Sequence, residues 1–201
     1  VEVTAFTLMA LFIARLGTAA AASHQIAANM AALLYMTPLA LGIATSARVS
    51  YWLGAGQPGK ARHALAVGMR LAAGLALALT LAVALLREPI ARFYAGDDAA
   101  VVALAAGLLP WVAAYHLVDA IQAVCVFVLR SYGIATATLV VYCLMLWGVG
   151  LGGGYLAAYQ GLFGLPPLQS PAAFWGAGAL ALALTAVAFS ALLWRAARSR
   201  R

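Results

Sequence analysis

Apolar residues fill this chain in runs too long for a soluble core, broken by short clusters of charge, glycine and proline. Residues 16–47 contain no Asp, Glu, Lys or Arg, and neither do residues 131–194. A membrane-spanning helix needs about 20 predominantly apolar residues. The second run, of 64 residues, has room for two such spans and a loop, whereas the first, of 32, fits one long helix. The pattern predicts six helical segments at about 1–14, 19–53, 62–86, 99–129, 135–158 and 173–194. Pro38 and Pro110 are expected kink points in the second and fourth. Residues 160–171, rich in Gly and Pro, read as a loop, and 195–201 as a basic tail.

The first segment is short. Fourteen helical residues reach about 21 Å against a hydrocarbon core of about 30 Å. Val1 is not a Met, and no basic n-region or cleavage site of the signal-peptide type accompanies the apolar segment. The expectation is a chain that begins inside a span, the C-terminal piece of a longer protein. Its fold class is all-α: a polytopic membrane helical bundle of six spans, the first truncated.

Composition sharpens this. The 201 residues are 66% hydrophobic and 8% charged, with a mean hydropathy of +1.00, where soluble domains carry about 25% charged residues. Nine basic residues (Arg48, Lys60, Arg62, Arg70, Arg130, Arg195, Arg198, Arg200 and Arg201) fall at one set of span ends, and three (Arg15, Arg87 and Arg92) at the other. By the positive-inside rule the first set is cytoplasmic, with the C-terminus. The net charge of +7 is then a topology signal that also favours anionic headgroups, and it implies no nucleic-acid partner. Cys125 and Cys143 lie within spans and read as packing residues. Residues 148–154 contain two small-xxx-small pairs, Gly148/Gly152 and Gly150/Gly154, that allow close helix approach. Most aromatic residues near span ends, such as Tyr51, Trp52 and Trp194, read as an interface belt.

Two acids, Glu2 and Asp119, fall at membrane depth. Counting along the helices puts Glu2 about 20 Å from Arg15 and Asp119 about 30 Å from the Asp98 end of its segment. A carboxylate there costs about 2.5–3.5 kcal/mol on insertion scales, so it usually faces a bundle interior or a wet cavity. Tyr115, His116 and Gln122, three or four residues from Asp119, share or border one helical face with it. This oxygen-rich stripe suits a hard cation such as Na⁺, and a carboxylate out of water equally suits a proton. The second segment carries a weaker polar group, Ser23, His24, Gln25 and Asn29, fit either for interhelical hydrogen bonds or for lining a cavity. No transition-metal spacing, no cofactor motif and no catalytic signature such as H-E-x-x-H, G-x-S-x-G or a P-loop occurs, so an enzyme is not expected.

Residues 17–29 (GTAAAASHQIAAN), 36–42 (MTPLALG), 47–56 (ARVSYWLGAG), 115–122 (YHLVDAIQ) and 129–133 (LRSYG) keep an order and spacing that resemble the C-terminal half of the multidrug and toxic compound extrusion (MATE) transporters, in the NorM-like branch. The likeness covers nearly the whole chain. It implies one lobe of a twelve-span, two-lobe antiporter in the bacterial inner membrane, whose N-terminal lobe would be its missing partner. The resemblance also implies export of cationic amphiphilic drugs in exchange for Na⁺ or H⁺, with no cofactor. Within that family the cation or proton site of this lobe is a Glu in the seventh span with a Tyr and an Asp in the tenth, which match Glu2, Tyr115 and Asp119. Gln25, Asn29, His116 and Gln122 are then candidates for the cavity lining. Ser131 and Ile134 depart from the family pattern, which often has Gly and Asp there. Two alternatives remain at this point: a lipid-linked-sugar flippase of the same superfamily, which a more cationic cavity would favour, and a non-transporting membrane assembly module.

Overall fold

The computed structural model describes residues 1–162 and 164–199; Phe163 of the expected loop and Arg200 and Arg201 of the basic tail lie outside the described residues. Where no water can satisfy a backbone, every N–H and C=O must be paired within its own segment. Among the described residues every regular element is accordingly helical. In chain order these are α1 (Glu2–Ala14), α2 (Thr18–Gly54), α3 (Pro58–Leu85), α4 (Arg87–Ala95), α5 (Ala99–Ser131), a composite fifth span and α8 (Pro171–Ser199). The composite span begins as α6 (Thr136–Cys143), becomes π-helical over Leu144–Gly152, passes through one α turn, α7 (Gly153–Tyr155), and is π-helical again over Leu156–Gln160. Five of these helices are long and apolar enough to cross a membrane, with α1 the shorter sixth.

Helix α4 has no counterpart in the expected segments. Pro89 lacks the N–H that would carry α3 past Leu85, so the chain turns at Leu86 and starts again as a short helix ending at Gly96, whose φ of 60° closes its C-terminus. Asp98 then caps α5, accepting hydrogen bonds at 3.1 Å from the Ala100 and Val101 amides.

Helix α5 is the centre of the bundle, packed against α2, α3, α4 and α8. It passes through two apolar clusters. One gathers Leu108, Leu109, Val112 and Tyr115 with Ile13 of α1 and Phe174 and Trp175 of α8. The other gathers Val124, Val128 and Leu129 with Val49 of α2 and Phe189 of α8. The polar turn Asp119–Gln122 lies between them, so packing on both sides fixes its height and rotation. At its far end α5 stops in a Schellman turn: Ile134 donates to the Leu129 carbonyl and Gly133, at φ 78°, to that of Arg130, each at 3.0 Å. Ser131, one of the two departures from the family pattern, donates its hydroxyl to the Ser46 carbonyl at 3.2 Å and so ties α5 to α2.

The glycine stretch of the fifth span divides by function. A Cβ on Gly154 would meet Phe174 at 2.8 Å (Cδ1) and 3.0 Å (Cα), and one on Gly150 would touch Ala181 at 3.4 Å, so this pair seats the span against α8. A Cβ on Gly148 would meet nothing within 4 Å, and one on Gly152 only the Trp147 carbonyl of its own span. Gly154→Ala is therefore expected to destabilise the protein by about 1–3 kcal/mol through overpacking. Gly148→Ala should stay within about 0.5 kcal/mol of wild type. Apparent melting temperatures in detergent check both.

Candidate functional site

Helices α1, α2 and α5 line an open-mouthed cavity of about 360 Å³. Glu2 and Phe6 of α1, Ala28, Ala32 and Tyr35 of α2, and Tyr115 and Asp119 of α5 face it. The chain thus brings Glu2 together with Tyr115 and Asp119, more than a hundred positions further on. Asp119 is 2% exposed and Glu2 is half-buried. They are the only charged residues lining this cavity among the described residues.

Each acid already has hydrogen-bond donors. The Tyr115 hydroxyl points at Glu2 Oε1 from 3.5 Å, a long contact. The Tyr142 hydroxyl donates to Glu2 Oε2 at 3.0 Å, and the Gln122 amide donates to Asp119 Oδ1 at 2.8 Å. Tyr115 is fixed by edge-on packing against Phe6 and Trp175, with ring centroids 6.0 and 5.6 Å away. Helix α1 is also held at its other end, where the Tyr159 hydroxyl donates to the Phe12 carbonyl at 2.6 Å and Arg15 lies 5.2 Å over the Tyr159 ring.

The other expected lining residues lie elsewhere. Gln122 borders a neighbouring cavity and reaches this one only through Asp119. Gln25 and Asn29 are exposed on α2, about two to three turns before Tyr35, and share a weak contact of 3.4 Å. His116 is buried, its Nε2 has no hydrogen-bond partner among the described residues, and it lines none of these cavities. His24 packs on Trp175 with centroids 5.9 Å apart.

Tyr35 and Tyr142 escaped the sequence reading. Both are neutral, and aromatic residues in such a chain are first assigned to the interface belt. Their signal was position: each lies in the interior of an apolar segment, away from the span ends where belt residues collect.

The set assembled here is two carboxylates with phenol and amide neighbours, all oxygen on the acceptor side. Among the described residues no three His, Cys, Asp or Glu side chains gather as a metal centre. Oxygen donors of this kind suit hard cations or a proton and not a soft metal. Two carboxylates on one apolar-walled cavity also repel each other, and a cation between them relieves that repulsion.

The chain is an all-helical bundle with five helices long and apolar enough to cross a membrane and two acids on one cavity, the architecture of a polytopic membrane protein. The chain belongs to the MATE family: the family's profile (MatE) matches residues 1–156. It is 39% identical over 193 residues to a probable multidrug resistance protein NorM of Aromatoleum aromaticum, covering 96% of this chain and 41% of that protein. It is 38% identical over 200 residues to the multidrug resistance protein PmpM of Pseudomonas aeruginosa, covering 100% of this chain and 41% of the relative. Multidrug resistance protein MdtK of Pectobacterium atrosepticum is 37% identical over 186 residues, covering 92% of this chain and 40% of its own length. The fold is that of the eukaryotic MATE transporter AtDTX14, with a TM-score of 0.75 at 22% identity over 90% of this chain and 40% of that one. The chain therefore spans about two fifths of the length of the relatives it matches.

Asp119→Asn keeps an acceptor for the Gln122 amide and should leave the melting temperature in detergent near that of wild type. Asp119→Leu leaves that buried amide unpaired and is expected to destabilise by about 1–3 kcal/mol. The same thermal measurement separates the two.

Proposed function

We propose that this chain is the C-terminal lobe of an antiporter in the bacterial inner membrane that exports cationic amphiphilic compounds in exchange for inward Na⁺ or H⁺. The basic ends of its helices and its C-terminus face the cytoplasm. The observation that carries this reading is the cavity shared by Glu2 and Asp119, acidic and without a basic lining residue among the described residues. An anionic lipid-linked cargo would be repelled there. A cation is drawn in, and the apolar and aromatic walls, Phe6 and the alanines of α2, accept the body of an amphiphile without demanding one shape.

The ion does work only by stabilising one conformation more than another. Asp119 is the main carrier in this reading, because it is the most enclosed acid and is held at fixed height between the two apolar clusters. Glu2 supplies the second carboxylate from a different helix, so an ion bound by both draws α1 and α5 together. Tyr115 adds a neutral oxygen beside them. Na⁺ and H⁺ use the same oxygens, and the gradient supplies the energy with no cofactor. Transport then requires the opposing lobe as the second wall of the drug path.

Asp119→Asn in the full-length protein is expected to reduce ion-driven efflux of a cationic dye from proteoliposomes to background, with Na⁺ and pH gradients imposed separately to identify the coupling ion. Wild-type efflux in that variant would remove Asp119 from the carrier role. This lobe expressed alone is expected to give no efflux in the same assay.

A further inference from the structure

Glu2 borders two cavities. Besides the space it shares with Asp119, it lines a second cavity of about 330 Å³ with Gln122, Arg130, Thr138 and Tyr142, and Tyr35 likewise borders both. Glu2 borders this second space directly, whereas Asp119 meets it only through Gln122. Glu2 Oε2 accepts from the Tyr142 hydroxyl at 3.0 Å, and Asp119 Oδ1 accepts from the Gln122 amide at 2.8 Å. Neither donor lines the first cavity. Each acid thus borders the first cavity and accepts a hydrogen bond from a neutral donor that borders only the second of the two. Tyr115 is different: it stands in the first cavity, on the other oxygen of Glu2.

We propose that Tyr142 is a positioning residue that competes with the coupling ion for Glu2, and that its release of Glu2 is the step that lets both carboxylates close on one ion. This rests on the reading of Glu2 as a coupling carboxylate. A hydroxyl donating to a carboxylate stabilises it while no ion is there, and an arriving cation or proton must do better than that bond. Tyr142 thereby keeps the site weak enough to empty. It also has somewhere to go. The second cavity lies beside it, and from Leu144, two residues on, the helix is π-helical. Each π turn holds one residue more than an α turn, and losing it would rotate one side of the span against the other by about 100°.

The ion itself does not pass this way. Arg130 lines the second cavity, with its guanidinium 5.2 Å over the Phe127 ring, and places a fixed positive charge on that route. The ionisable side chains that line the two cavities with Glu2 are Asp119, Tyr35 and Tyr115 in the first and Arg130, Tyr35 and Tyr142 in the second, and the amino group of Val1 lies beside Glu2 at the start of its own helix.

The test measures dye efflux by the full-length protein in proteoliposomes against the concentration of the driving ion, giving a half-saturating concentration and a maximal rate. Tyr142→Phe is expected to lower the half-saturating concentration about tenfold, the loss of one hydrogen bond to a charged group, and to lower the maximal rate as ion release slows. A purely structural role would reduce the rate and leave half-saturation in place. An unchanged or raised half-saturating concentration overturns the proposal. Tyr142→Leu also lacks the hydroxyl and must move in the same direction; failure of both variants to fold would make Tyr142 a packing residue and overturn it too. Glu2→Gln is the reference. If it retains wild-type ion dependence, the coupling role of Glu2 falls. If it loses that dependence while Tyr142→Phe shifts nothing, only the role of Tyr142 falls.

Discussion

A carboxylate in hydrocarbon is the interaction on which this lobe is organised. Placing one on a membrane helix costs several times thermal energy, and this chain places two on different helices and points both into one cavity. Their cost is offset by donors of matched reach, Tyr142 and Tyr115 for Glu2 and Gln122 for Asp119. Those donors come from α5 and α6, so three helices must hold their rotation and height for either acid to be tolerated.

That requirement explains the uneven packing of the bundle. Helix α5 is the most enclosed span, whereas α3 turns Leu71, Leu75, Leu81 and Leu85 outward, as a lipid-facing helix does. The two apolar clusters grip α5 above and below its polar turn. Gly150 and Gly154 bring the fifth span close to α8, which positions the segment that carries Tyr142. Packing in such a protein is less a source of net stability, since lipid is as apolar as leucine, than a means of fixing direction.

Much of this was legible in the residues. Long uncharged runs marked the spans, and the scarcity of charge made Glu2 and Asp119 conspicuous. What could not be read was which neutral groups answer them. Tyr35 and Tyr142 look like any other aromatic residue until the helices are assembled, because a hydroxyl at membrane depth carries no formal charge to betray it. Helical spacing placed His116 and Gln122 on a face near Asp119. It could not say that His116 turns into the core while Gln122 reaches back to the carboxylate, since a shift of one residue rotates a side chain by about 100°. Helix α4 was missed because the turn at Leu86 and Pro89 reads as a loop boundary, and the π-helical stretches leave no distinct mark on hydropathy.

Two tyrosine hydroxyls hold α1, one at Glu2 and one at Phe12, and the two contacts differ in kind. At Phe12 the acceptor is a backbone carbonyl, which no ion gradient alters. At Glu2 the acceptor is a carboxylate, whose hold on its donor depends on what else is bound there. The contact at Phe12 is thus insensitive to charge, whereas the strength of the one at Glu2 follows the charge of its acceptor.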